Sequence, residues 1–170
     1  MERPNAITMK GNPLTLEGQE LKVGDTAPQF TLVNGELSPV SLADSSGKAR
    51  LLSIVPSLDT GVCSIQTQSF NKKLGELKDK AVAYTISVDL PFAQSRFGQE
   101  HSISNMTTLS DYKDVSFGRD YGLLIKELRL LARAVIVVDK NNKVSYMQLV
   151  PEVTQEPDYD KAIEALKKVI

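Results

Sequence analysis

Residues Leu51–Val55 read LLSIV, a short apolar run rich in branched side chains. Such a run suits a strand buried inside a sheet, and a sheet covered on both faces needs helices or loops on either side of it. Pro56 ends the run, because proline has no N–H to give to a ladder. A polar loop, Ser57–Gly61, follows. Phe70, Leu74 and Leu77 then fall at helical spacing, which predicts a helix from about Cys63 to Lys78.

The strand pattern recurs at Ala81–Val88 (AVAYTISV), Thr107–Leu109 and Ala134–Val138 (AVIVV). A helix is expected to start near Phe92, and Phe117–Leu124 leans helical. Asp139–Asn142 turns the chain into Val144–Leu149, whose alternation is that of a hairpin partner. The last segment, Tyr159–Ile170, places Tyr159, Ile163, Leu166 and Ile170 on one helical face, with acids at its start and lysines at its end, as the helix dipole favours. Upstream, Phe30–Val33 reads as a strand, and Asn34-Gly35 is a hairpin signal with a return near Val40 and Leu42. Residues 1–24 read as an appended β-hairpin that turns at Gly11-Asn12-Pro13. This order predicts an α/β domain with a central mixed sheet flanked by helices, the order of a thioredoxin-like fold, and one domain over residues 1–170.

Composition narrows the chemistry. A net charge of −1 gives no reason to expect a nucleic acid partner. No apolar run approaches the ~20 residues that span a bilayer, and the N-terminus lacks the apolar core of a secretory signal, so a cytoplasmic protein without membrane contact is expected. One histidine, His101, and one cysteine, Cys63, leave no set of ligands for a cysteine-based zinc site or a multi-histidine metal centre. Neither a metal nor a cofactor is expected. The single cysteine also excludes an internal disulfide.

Cys63 stands where a loop becomes a helix. Helix N-termini carry free N–H groups and the positive end of the dipole, and both favour a thiolate. The alternative is plain: a lone cysteine is commonly a small buried hydrophobe. Asp59 and Thr60 are candidate helix caps. His101 has no evident role, and Phe92 and Phe97 read as packing residues.

Pro56, Thr60 and Cys63 form P-x-x-x-T-x-x-C, which resembles the active-site signature of peroxiredoxins. PSLDTGVC, DLPFAQSRF (Asp89–Phe97), LLARAVIVVD (Leu130–Asp139), the N-terminal hairpin and the tail EPDYDKAIEALK are similar to the thiol peroxidase subfamily over essentially the whole chain. The resemblance implies a thioredoxin fold, a homodimer, hydroperoxide substrates and electrons from thioredoxin or another thiol. It implies that Cys63 is the peroxidatic cysteine, with Thr60, Pro56 and Arg133 as its catalytic neighbours. Arg133 is distinguished from other arginines by the resemblance alone. In such a site the thiolate attacks a peroxide oxygen and becomes sulfenic acid. Arg133 supplies permanent charge and fixed donors. The hydroxyl of Thr60 bonds a peroxide oxygen, and Pro56 shields the sulfur.

One position departs from that pattern. Most subfamily members carry a resolving cysteine after DLPFAQ, where this chain has Gly98. A one-cysteine cycle resolved by an external thiol is therefore expected. The alternative is a redox sensor or relay, whose oxidised cysteine passes its state to a partner protein.

Overall fold

The computed structural model describes residues 1–170. The chain begins with an antiparallel hairpin, β1 (Glu2–Met9) and β2 (Asn12–Glu17). Its turn is Lys10-Gly11, one step before the expected Gly11-Asn12-Pro13. Two-residue hairpin turns of this kind need positive φ at both positions. Lys10 and Gly11 have φ of 50° and 81°, whereas proline is fixed at negative φ, so Asn12 and Pro13 join the strand. Next come β3 (Thr31–Val33) and β4 (Pro39–Ser41). Their connection is held by Asn34, whose side-chain oxygen accepts from the N–H groups of Glu36 and Ser38.

The central elements follow in order: β5 (Ala49–Ile54), α1 (Gly61–Lys73), β6 (Ala81–Ser87), α2 (Pro91–Glu100) and β7 (Thr107–Ser110). α1 stops five residues before the expected Lys78, and the chain passes through turns over residues 74–80. Phe117–Leu124 is split. A short helix, α3 (Ser116–Asp120), yields at Gly122 to a two-residue strand, β8 (Leu124–Ile125). β9 (Leu130–Leu131), β10 (Ala134–Val138), β11 (Val144–Leu149) and α4 (Tyr159–Lys167) complete the chain.

Seven strands form one mixed sheet in the order β11-β10-β5-β6-β7-β3-β4. β5, β6 and β7 are parallel, and the outer pairings are antiparallel. A second sheet, β1-β2-β8-β9, carries the hairpin. The mixed sheet, its helices and the N-terminal hairpin are those anticipated from sequence. Every residue of β5 and β10 is buried. Successive side chains of a strand point to opposite faces, and the core divides accordingly. Leu51, Val135 and Val137 pack on one face with Phe70, Leu74, Ile163 and Leu166 of and beside α1 and α4. Leu52, Ile54, Ile136 and Val138 pack on the other with Phe30, Phe117, Tyr121 and the hairpin's Ile7 and Leu16.

Two arginines lie inside this core. Arg50, on β5, is wholly buried and donates to the Ser45 hydroxyl, the carbonyls of Lys48 and Asp139 and the side-chain oxygen of Asn142. Arg133, just before β10, is the other.

Candidate active site

The loop between β5 and α1 delivers Cys63 to the first turn of α1. Thr60 is the helix cap. It is extended, and its hydroxyl oxygen accepts from the Cys63 N–H at 3.4 Å while donating to the carbonyl of Ser57 at 3.1 Å. Asp59 was the other cap candidate from sequence; it is exposed and caps nothing, because the chain enters the helix one residue later. Asp89, at the end of β6, holds the front of the loop. Its carboxylate accepts from the hydroxyls of Ser57 and Ser87, both at 2.7 Å, and from the Leu58 N–H at 2.8 Å.

The Cys63 sulfur is buried with Val55, Leu58 and Phe97 of α2. Phe97 is thus a packing residue, as expected, and the His101 ring lies against it tilted by 41°, with ring centres 4.4 Å apart. Phe92 differs. It is 65% exposed, because it occupies the outer side of α2. Pro56 is buried where the chain leaves β5.

Arg133 comes to Cys63 from 70 residues away. Its three donor directions are all used: Nη2 to the Cys63 sulfur at 3.4 Å, Nη1 to Gln66 Oε1 at 3.0 Å and Nε to the Val153 carbonyl at 2.8 Å. No carboxylate is paired with it. A buried guanidinium without a counter-ion favours negative charge on whatever it touches, and here it touches the Cys63 sulfur. Its fork is planar and fixed in direction.

The sequence alone does not single out Gln66. It is fully buried, and its amide nitrogen donates to the Ser53 hydroxyl at 2.8 Å, which fixes its oxygen on Arg133. Its signal is the placement of Gln66 and Thr67 on the same stripe as Cys63 and Phe70, since polar side chains on a buried helix face need buried partners.

The structure therefore brings Cys63, Arg133 and Gln66 into one hydrogen-bonded group, with Thr60 touching it through the Cys63 N–H. A surface cavity of about 730 Å³ between α1 and α4 is lined by Lys72, Lys73, Asp160, Glu164 and Lys167 and includes none of these residues. At Gly98 a side-chain carbon would meet nothing within 4 Å. Space does not explain the glycine there.

Comparison with known proteins gives a consistent result. The profile of the redoxin family matches residues 22–163. The chain is 54% identical to a thiol peroxidase of Halalkalibacterium halodurans over 97% of its own length and 99% of that protein. It is 53% identical to a thiol peroxidase of Bacillus subtilis, covering 96% and 98%. Among solved structures, a peroxiredoxin-like protein from Aquifex aeolicus superimposes with a TM-score of 0.92 at 41% identity, covering 98% of both chains.

Proposed function

The chain belongs to the redoxin family as a thiol peroxidase with a single cysteine, and from that premise we propose the residue roles by which it reduces hydroperoxides. It is a thiol-dependent peroxidase. Cys63 is its nucleophile. The thiolate attacks one oxygen of the peroxide; the S–O bond forms as the O–O bond breaks, and the departing oxygen takes a proton to leave as water or an alcohol. Cys63 is left as sulfenic acid, oxidised by two electrons.

Arg133 stabilises the thiolate before attack and the charge that passes to the leaving oxygen. Gln66 aims Arg133. Thr60 presents Cys63 through its cap and, once its hydroxyl turns from the Ser57 carbonyl, offers a donor to the peroxide. Pro56 keeps water from the sulfur. The observation that carries this reading is the 3.4 Å contact between Arg133 Nη2 and the Cys63 sulfur, both buried.

With one cysteine, the return to thiol uses an external thiol. A first thiol attacks the sulfenic sulfur and releases water, giving a mixed disulfide. A second attacks that disulfide and frees Cys63, so two thiols are oxidised per peroxide. We assign the reductant to thioredoxin or another thiol, the working unit to a homodimer, the compartment to the cytoplasm and the catalytic domain to residues 1–170. No helix is long and apolar enough to cross a membrane. The relatives named as thiol peroxidases favour turnover over a relay role.

The test is hydrogen peroxide and cumene hydroperoxide consumption with thioredoxin, glutathione plus glutaredoxin, and dithiothreitol. At least one reductant sustains turnover, and Cys63→Ser abolishes it. Stoichiometric oxidation without turnover under every reductant would instead identify a relay.

A further inference from the structure

The Val153 carbonyl, which receives Arg133 Nε, lies in a segment that leaves the seven-stranded sheet after Val150. That segment is held by the N-terminal hairpin. Thr8 of β1 donates its N–H to the Pro151 carbonyl at 2.8 Å and accepts from the Val153 N–H at 2.8 Å, a short parallel bridge across 143 to 145 residues. Between these bonds stands Glu152. Its Oε1 accepts from the Gly11 N–H at 2.9 Å and the Thr8 hydroxyl at 3.1 Å. Its Oε2 accepts from the N–H and hydroxyl of Thr154 at 2.9 and 2.7 Å. Arg133 is tied to the same segment a second time, because its own carbonyl accepts from the Val150 N–H at 3.0 Å.

We propose that Glu152 is a positioning residue that clamps residues 151–153 to the hairpin and so sets the reach of Arg133 toward Cys63. The hairpin is then part of the catalytic support rather than an appendage. The N–H and hydroxyl of Thr154, and after them the Gly11 N–H, hold the Glu152 carboxyl down to about 2, so it stays an ionised acceptor throughout the working range of pH. Of Arg133's three acceptors, Gln66 and Cys63 belong to α1, and Val153 is the one that reports the other side of the molecule. If that segment slackens, the guanidinium follows its remaining partners. Shifts well below an ångström at a reacting group change rates severalfold.

This inference rests on the assigned roles of Cys63 and Arg133, and its test separates the two. In the full chain, Glu152→Ala should slow single-turnover oxidation of Cys63 by peroxide by about 10-fold. It should also move the pH profile of Cys63 alkylation by iodoacetamide upward, because the sulfur loses part of its cation. Glu152→Gln keeps an oxygen for Gly11 and Thr8 and should recover most of both losses. Thr8→Ala, which removes the hydroxyl's bonds to Glu152 Oε1 and the Pro151 carbonyl and leaves the main-chain bridge, should show the same signs at smaller size and is read in place of Glu152→Ala if that variant does not fold. Parent oxidation rate and parent alkylation profile in folded Glu152→Ala, or in Thr8→Ala when it is the variant read, would overturn the proposal. A parent protein that consumes no peroxide with any thiol would overturn the peroxidase reading instead, and leaves the alkylation profile as the measure of the clamp.

Discussion

Arg50 and Arg133 are the same residue type, both buried, both on or beside central strands and both without a carboxylate partner. They differ in what receives their donors. Arg50 ends entirely on oxygen: Ser45, Lys48, Asp139, Asn142 and, more weakly, Leu42. These partners belong to the loops at the end of β5 remote from Cys63, and the guanidinium locks them together. Burial lowers its grip on the proton, yet oxygen dipoles satisfy its fork. Arg133 ends on two oxygens and a sulfur. Sulfur is a weak acceptor unless it is ionised. A buried cation with one direction left to a sulfur holds electrostatic capacity in reserve for an anion, whereas one surrounded by oxygens has none to lend. Burial of an arginine is therefore no sign of function in itself; on the proposed roles, the identity of the last acceptor is what separates the two.

This contrast can be broken experimentally. Arg133→Met should lower the rate constant for Cys63 oxidation by about 100- to 1,000-fold, the size of a lost donor at a developing charge. Arg133→Lys should recover little, because an ammonium cannot reach three acceptors in one plane. Stopped-flow oxidation measures both. Arg50→Met should do the reverse, costing about 3 kcal/mol of folding stability through its orphaned acceptors while Cys63 in the folded fraction oxidises within about twofold of the parent rate. Denaturant titration alongside the kinetics decides it. Slow oxidation in folded Arg50→Met would erase the distinction.

A third group sharpens the difference between holding the fold and doing chemistry. Asp111 is buried directly after β7 and accepts from the N–H groups of Phe117 and Gly118 in α3. Burial outweighs those bonds and raises its carboxyl to about 6. An unfolded aspartate ionises near ~3.9. The folded state thus binds the proton more tightly, so this contribution to stability is full below about pH 4 and is lost as pH rises through 6. The melting temperature of Asp111→Asn should lack that decline, with Cys63 oxidation unchanged.

The smallest effect belongs to Thr60. Thr60→Val removes the cap of α1 and should cost about 1 kcal/mol. Its oxidation rate should fall by more than that loss explains, and Thr60→Ser should restore both. Equal rates for Thr60→Val and the parent would reduce Thr60 to a cap alone.

The ease of reading these residues from sequence follows the range of the contacts that place them. Cys63 and Thr60 are set by a strand, a proline and a helix start within a dozen residues, and that pattern is visible in order along the chain. β5, β6, β10 and the β10–β11 hairpin are legible for the same reason, since their side chains carry the period of a buried or half-buried strand. Arg133 is not. Its environment is made by Gln66 and Val153, and nothing adjacent to it announces them. Only the resemblance singles it out, and Arg50, on β5 itself and just before the apolar run Leu51–Val55, carries no signal in the sequence. β8 and β9 escaped because two-residue strands have no period to detect. The helix reading over Phe117–Leu124 failed at Gly122, whose φ of 67° ends the helix.

The bridge from Thr8 to the segment around Glu152 has a consequence for how the protein is made. Its two sides stand 144 residues apart along the chain, and the Cys63–Arg133 pair spans 70 residues between them. Long-range pairings form only after the intervening chain exists. On the proposed roles, a nascent chain thus presents Cys63 long before Arg133 and the Glu152 segment that would arm it. On those roles the thiol waits unarmed while the chain is made, and reactivity toward peroxide arrives as one of the later acts of folding.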